Sequence, residues 1–337
     1  MVQNTVLVYS AVPTDAPVPG KHLKRVVEEI DLDNVDLQGG LLVKSKALDL
    51  SPYMRGRMRD PSVASYNQAF TLGKPLETLA VGEVIKSEHP DVKVGALYRG
   101  RFDFAEYAVV PGEKVKQGTV LENKEGLPAT NLVGSVGMPG ATAWVGLYEI
   151  GKMKKGETIF ISAASGAVGQ IAGQLAKREG LKVIGSAGSD SKVAFLKEIG
   201  FDVAFNYKTE DTQAILEGNP FSLYFDNVGG ATLDAVLATI QPGGRIIGCG
   251  SVSQYNVPKD KQYRLVNYTR MVTAQISWRG FIVFMHDLTE FQKVMPGLIK
   301  NGEIKIKEHV TKGIDNGEAF VDMLEGRNEG KAVISLE

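Results

Sequence analysis

The run from residue 158 to residue 178 constrains this chain most. A short apolar stretch (158–163) leads into the small-residue loop Ala163-Ala164-Ser165-Gly166-Ala167-Val168-Gly169, and an apolar-periodic helical pattern opens inside that loop (168–178). Small residues let the backbone turn tightly and approach a ligand, and a helix start presents unpaired N–H groups with a partial positive charge. Strand, A-x-x-G-x-x-G loop and helix in that order form a variant of the dinucleotide fingerprint. They predict a βαβ unit that holds a pyrophosphate over Ala163, Ser165, Gly166, Ala167, Val168 and Gly169.

The rhythm continues on both sides of this loop. A helical pattern covers 142–150, and strands are expected at 182–185, 203–205, 223–226 and 244–249 with helices between them. Gly180 and Gly200 stand where helix C-caps belong, and Ser189 is placed to N-cap a helix over 190–198. Such alternation predicts an α/β fold with a doubly wound parallel (Rossmann) sheet. Before residue 136 the pattern differs: β-type runs at 5–9, 40–44, 78–85 and 104–110 are divided by Gly, Pro and Asp. After residue 303, strands at 304–310 and 332–336 flank a helix at 316–324. The expected domains are a mostly β domain split in sequence (1–136 and 304–337) around a dinucleotide-binding domain (137–303), a sensible division for 337 residues.

The second strand of the fold selects the cofactor. NAD sites usually carry a carboxylate at its end, which takes the ribose hydroxyls. Here the strand runs into Gly185-Ser186-Ala187-Gly188-Ser189, and Asp190 follows only as an early helix residue. Gly188 leaves room, Ser189 offers a donor and Lys192 a charge, which suits the 2′-phosphate of NADP(H).

Composition excludes other classes. Lys plus Arg (38) nearly balances Asp plus Glu (39), and no basic–aromatic run stands out, so no nucleic-acid partner is expected. No stretch is long and apolar enough for a membrane span, and neither end matches a signal peptide, lipidation or peroxisomal signal. Cys249 is the single cysteine, which rules out a disulfide within the chain. The expected location is cytoplasmic, with the nucleus as a second compartment.

Several motifs resemble one branch of the medium-chain dehydrogenases/reductases, which contains the leukotriene/prostaglandin reductases, the plant alkenal double-bond reductases and bacterial curcumin reductase. They are Gly166-Ala167-Val168-Gly169, Gly188-Ser189-Asp190-Ser191-Lys192, Asn206-Tyr207-Lys208 and Asp226-Asn227-Val228-Gly229-Gly230. Asp49-Leu50-Ser51-Pro52-Tyr53-Met54-Arg55, Gly137-Met138-Pro139-Gly140-Ala141-Thr142-Ala143, Ser253-Gln254-Tyr255-Asn256 and Gly326-Arg327-Asn328-Glu329-Gly330-Lys331 extend the resemblance over nearly the whole chain. The resemblance implies a GroES-like β domain around the Rossmann domain and a homodimer. It also implies that Lys192 and Tyr207 meet the 2′-phosphate and that Asn328 lies near the nicotinamide half. Further cofactor contacts are expected at Asn227, Cys249, Gly250, Tyr255 and Phe281.

No metal is expected. Zinc relatives of this superfamily use cysteine, histidine and carboxylate ligands. This chain has one cysteine and four scattered histidines, and where those enzymes carry Gly-His-Glu it has Val81-Gly82-Glu83. Without a Lewis acid, chemistry that builds an alkoxide loses its main stabiliser, whereas reduction of a conjugated C=C or of a quinone does not need one. The expected reaction is NADPH-dependent hydride transfer to the β-carbon of an α,β-unsaturated aldehyde or ketone. Tyr255 and Tyr53 are the candidate donors to the carbonyl oxygen, with the cofactor ribose hydroxyl as another. Met138, Trp278, Phe281 and Met285 could line an apolar pocket, although core packing is the commoner role of such residues. Arg55, Arg57 and Arg59 read as solvated loop charge, and the sheet edge near Gly280-Phe281-Ile282-Val283 as the dimer contact. The alternatives are an NADPH quinone reductase and a non-enzymatic NADPH-binding sensor.

Overall fold

The structure is a computed structural model and describes all residues, 1–337. In chain order its strands are β1 (Val2–Tyr9), β2 (Leu23–Ile30), β3 (Leu41–Asp49), β4 (Glu77–Ser87), β5 (Leu97–Asp103), β6 (Tyr107–Val110), β7 (Thr119–Leu121), β8 (Thr158–Ile161), β9 (Lys182–Ala187), β10 (Val203–Asn206), β11 (Leu223–Asp226), β12 (Arg245–Gly248), β13 (Ser277–Gly280), β14 (Glu308–Lys312) and β15 (Lys331–Ser335). They belong to two compact units, Met1–Gly134 with Glu308–Glu337, and Ser135–Lys307.

The second unit is a doubly wound Rossmann sheet. Its six strands are all parallel, in the order β10-β9-β8-β11-β12-β13. Counted within the unit this is 3-2-1-4-5-6, so the strand order reverses between β8 and β11. Ile159, Phe160 and Ile161 of β8 are fully buried, which explains the unbroken apolar run read in the sequence. Phe160 stacks on Tyr224 at 5.1 Å and on Phe205 at 6.0 Å. The Phe201 ring packs against both the helix Gly169–Arg178 and β9 because two residues lack side chains: a Cβ on Gly173 or Gly185 would stand 2.1 Å or 2.5 Å from that ring.

The helical pattern read at 142–150 begins earlier than expected. The helix is Met138–Val145, with Pro139 in its first turn, where no backbone N–H is needed, and it passes into a π-helical turn, Gly146–Ile150. The strand expected from residue 304 begins only at Glu308. Residues 305–307 are held by two glutamines of the helix Gly169–Arg178 instead. Gln170 exchanges hydrogen bonds with Lys307 (2.8 and 3.0 Å), and Gln174 does the same with Lys305 (both 2.8 Å). Side-chain amides here replace a strand ladder.

The first unit is β-rich. Its main sheet runs β14-β15-β3-β4-β5-β7, with β6 paired to the far part of β3, and β1 and β2 form a separate antiparallel pair. Leu41, Val43, Leu48, Tyr98, Phe102 and Phe104 lie in its core. The arginines of the helix Tyr53–Arg57 and its exit correct the reading of solvated charge. Arg55 and Arg57 are buried. Arg55 donates to the carbonyls of Pro13 and Asp15, and Arg57 to those of Gln68 and Glu77. Arg59 donates to the carbonyls of Gly56, Val63 and Asn67. Each guanidinium is a clip for irregular backbone, which has no ladder of its own.

Candidate active site

The Rossmann unit gathers most of the expected site residues at the C-terminal ends of β8, β9, β11 and β12. The loop after β8 turns at Ala163, whose φ of +47° is unusual for a residue with a side chain, and strain of this kind concentrates at functional loops. Gly169 opens the helix, and a Cβ there would stand 2.6 Å from Ala163 O and from Ala164 Cα. No side chain caps this helix start; Gly166 N donates to Ala163 O at 3.0 Å and Gln170 N to Gly166 O at 3.1 Å.

The turn after β9 gathers a hydroxyl and a cation over a glycine. Ser189 is the N-cap expected from the sequence, and its Oγ accepts the Lys192 N–H at 3.4 Å. A Cβ on Gly188 would meet the Tyr207 hydroxyl at 3.0 Å and Lys208 Cε at 3.3 Å, so these side chains lie over the glycine. The Asp190 carboxylate is engaged, its Oδ1 accepting a 2.8 Å hydrogen bond from Asn206 Nδ2. Lys208 is a positive residue that sequence reasoning passed over. It stood in a quoted motif, but only the return of β10 beside β9 brings it to Gly188.

At the switch point, Asn227 Nδ2 donates to Ser162 O (2.8 Å) and Asn227 N to Ser162 Oγ (3.1 Å). Asp226 organises the turn below. Its Oδ1 accepts from the Tyr224 hydroxyl and Gly229 N (both 2.8 Å) and from Val228 N (3.1 Å). Burial outweighs these bonds and holds the carboxyl above its ordinary range. Beyond β12, Cys249 N and Gly250 N both donate to Asp226 O (3.0 Å). The Tyr255 hydroxyl accepts from Ser251 N at 3.3 Å and stands 3.0 Å from where a Cβ on Gly250 would be. Desolvation pushes the Cys249 thiol up to about 12, so it is not a thiolate at neutral pH. A cavity of about 480 Å³ opens beside these turns, lined by Asp226, Gly229, Cys249, Ser251, Leu265 and Trp278 among others. Phe281 follows β13 and packs edge-on against His286 at 6.2 Å.

Two expected residues, Tyr53 and Asn328, belong to the β-rich unit. The Tyr53 hydroxyl is buried without a hydrogen-bond partner, and burial raises its pKa well above the ordinary tyrosine value. Asn328 Nδ2 donates to Gly330 O at 2.6 Å, fixing the turn into β15. The segments that carry these two residues are joined by a buried ion pair, Lys331 Nζ to Asp49 Oδ1 at 2.5 Å. The Lys331 ammonium also donates to Leu50 O and Ala332 O, both at 2.7 Å.

Comparison with known proteins places this arrangement. Residues 167–300 match the family described as zinc-binding dehydrogenase, and residues 23–117 the N-terminal domain of oxidoreductases. NADP-dependent oxidoreductase RED1 of Cochliobolus heterostrophus is 42% identical over 346 residues, covering 100% of this chain and 98% of that protein. The NADP(+)-dependent 2-alkenal reductase of Nicotiana tabacum is 39% identical over 305 residues, covering 88% and 87%. The crystal structure of CurA from Vibrio vulnificus in complex with NADPH superposes with a TM-score of 0.87 at 33% identity, covering 99% of both chains.

The zinc in that family description does not suit the residues present. No group of three or more His, Cys, Asp or Glu side chains could hold a metal ion. Gly82 has no room for a ligand side chain, because a Cβ there would stand 2.4 Å from Val43 Cγ1. Glu83 is engaged by Lys46 at 3.5 Å.

Proposed function

The chain belongs to the medium-chain dehydrogenases/reductases, in the branch of the alkenal and prostaglandin reductases, and from that membership we propose that it reduces the conjugated C=C bond of α,β-unsaturated aldehydes and ketones with NADPH. The observation that carries the reading is the anion cradle at Gly188, where Tyr207 and Lys208 overhang the glycine and Asp190 is tied to Asn206. A 2′-phosphate needs that space and charge, and a ribose-binding carboxylate would repel it. Ser189 and Lys192 complete the cradle, the amides of residues 167–169 are assigned to the pyrophosphate with Gly166 allowing its close approach, and Asn227, Cys249, Gly250, Phe281 and Asn328 are assigned to the rest of the cofactor. Bound there, NADPH supplies a hydride to the substrate β-carbon.

As negative charge builds on the carbonyl oxygen, Tyr255 and Tyr53 are the donors assigned to it. The Tyr255 hydroxyl accepts from Ser251 N, which orients it. Expected kcat for Tyr255→Phe is down by about a hundredfold, the lower end of the range for loss of one such donor. The test of function is the ratio of kcat/KM for a medium-chain 2-alkenal to that for a para-quinone. A ratio well above one supports alkenal reduction, and a ratio well below one moves the assignment to a quinone reductase.

Lys192→Ala is expected to weaken NADPH binding by about tenfold or more, since a charge-assisted contact contributes about 1.5–3 kcal/mol. NADH, which lacks the 2′-phosphate, is expected to bind the variant as it binds the parent. Fluorescence titration with both nucleotides checks this, and equal losses for both would remove Lys192 from the phosphate site.

A homodimer is also proposed, with a corrected contact. The edge strand is β13, which ends before Phe281, and all four of its residues are exposed. It pairs only with β12, and Trp278 on it and Ile282, Phe284 and Met285 after it are exposed apolar residues. An open edge with an apolar border suits pairing with a second copy across a two-fold axis. Sedimentation equilibrium at micromolar concentration checks it, with a single-chain mass as the contrary result.

A further inference from the structure

The turn that carries Phe281 is tied to the rest of its unit by a single hydrogen bond. It leaves β13, passes through the 3₁₀ turn Val283–Met285 and reaches the helix Thr289–Lys300. Its backbone bonds are internal: Met285 N donates to Ile282 O at 3.0 Å and His286 N to Val283 O at 3.2 Å. Val283 is its one buried residue, while Ile282, Phe284 and Met285 are exposed. The tie is His286, whose Nδ1 stands 2.5 Å from Glu149 Oε2. A carboxylate only accepts, so the imidazole donates there. The Phe281 ring stands against the same imidazole at 6.2 Å and 82°. One side chain thus meets both Phe281 and an anchor outside the turn.

The anchor itself is fixed to the sheet. Glu149 lies in the π-helical turn Gly146–Ile150. Such turns are rare and recur at functional sites. Two glycines let this one lie flat on the strands. A Cβ on Gly146 would stand 2.5 Å from the Phe225 ring of β11, and one on Gly151 2.6 Å from Ile247 Cδ1 of β12. β11 and β12 lead into Asn227, Cys249 and Gly250, which are assigned to the cofactor. Glu149 therefore sets the Phe281 turn against the strands that carry those residues.

We propose that Glu149 and His286 are positioning residues for the cofactor: their bond holds the Phe281 turn where it meets the nicotinamide half of NADPH. The inference rests on the assignment of Phe281 to the cofactor. It concerns one end of the ligand only, because Gly188 and the 2′-phosphate cradle follow β9, and three strands lie between β9 and β13.

The test reads binding at the two ends separately. NADP+ and adenosine 2′,5′-bisphosphate, which keeps the 2′-phosphate and lacks the nicotinamide half, are titrated by calorimetry into the parent and its variants. His286→Ala and Glu149→Ala are each expected to weaken NADP+ binding by about fivefold, the upper end for one partly exposed charged pair. The bisphosphate is expected to bind both variants as it binds the parent. The double variant is expected to lose no more than either single one, since each removes the same bond. His286→Asn, whose Nδ2 donates in place of Nδ1, is expected to keep most of the affinity. Equal losses for the two ligands would overturn the proposal and leave the pair as support for the fold alone. Parent affinity for NADP+ in both single variants would also overturn it. Phe281→Ala tests the assignment beneath it. Parent affinity for NADP+ there removes Phe281 from the cofactor site, and the proposal with it. A loss there, with none in His286→Ala and Glu149→Ala, overturns the positioning role alone.

Discussion

Exchanging Lys331 for methionine is expected to lower stability by about 3–5 kcal/mol, the usual cost of stranding one member of a buried ion pair. Both members are almost fully buried, Asp49 at 0% and Lys331 at 3% exposure. In the variant, Asp49 Oδ1 keeps only Ser51 Oγ at 2.9 Å, while Oδ2 has no partner even in the parent. Adding Asp49→Asn removes the stranded charge and is expected to recover most of the loss. Urea unfolding of the parent, single and double variants checks the set. A single variant as stable as the parent would show that the pair contributes nothing.

The second large effect contrasts one substitution at two glycines. Gly169→Ala places a methyl 2.6 Å from Ala163 O and Ala164 Cα, backbone atoms that no rotamer change can move. The helix Gly169–Arg178 must then shift off β8, at a cost of about 1–3 kcal/mol for overpacking. Its uncapped amides shift with it, and NADPH affinity is expected to fall by about a hundredfold, equivalent to about 2.7 kcal/mol. Gly297→Ala lies inside the helix Thr289–Lys300 and meets nothing within 4 Å. There the exchange is expected to add about 0.5–1 kcal/mol by restricting the unfolded chain, with no change in nucleotide affinity. Thermal unfolding and NADPH titration of both variants check the opposite signs. Wild-type affinity in Gly169→Ala would refute the close crossing.

What the sequence disclosed was local and what it hid was long-range. β8 and β11 announced themselves because their apolar residues, 159–161 and 223–225, are fully buried and contiguous, and Ser189, Gly180 and Gly200 marked helix ends by their own backbone needs. β2 gave no signal because six of its eight residues are exposed and half are charged, so its pairing with β1 replaces any hydrophobic pattern. The three arginines after Tyr53 looked like solvent-facing charge because their acceptors, the Glu77 carboxylate of Arg57 apart, are carbonyls, and any residue type supplies a carbonyl. The Asp49–Lys331 pair joins two quoted motifs separated by most of the chain, and only the antiparallel pairing of β15 with β3 brings them together. The fingerprint loop was legible because its chemistry is carried by contiguous residues. Lys208 was not, because its place over Gly188 depends on the parallel register of β9 and β10.

The central claim, that hydride goes to carbon in a conjugated double bond, is tested most directly by the product formed from a medium-chain 2-alkenal and NADPH. The account predicts the saturated aldehyde, with one NADPH consumed per molecule formed. An allylic alcohol, made by reduction of the carbonyl with the double bond intact, would contradict it.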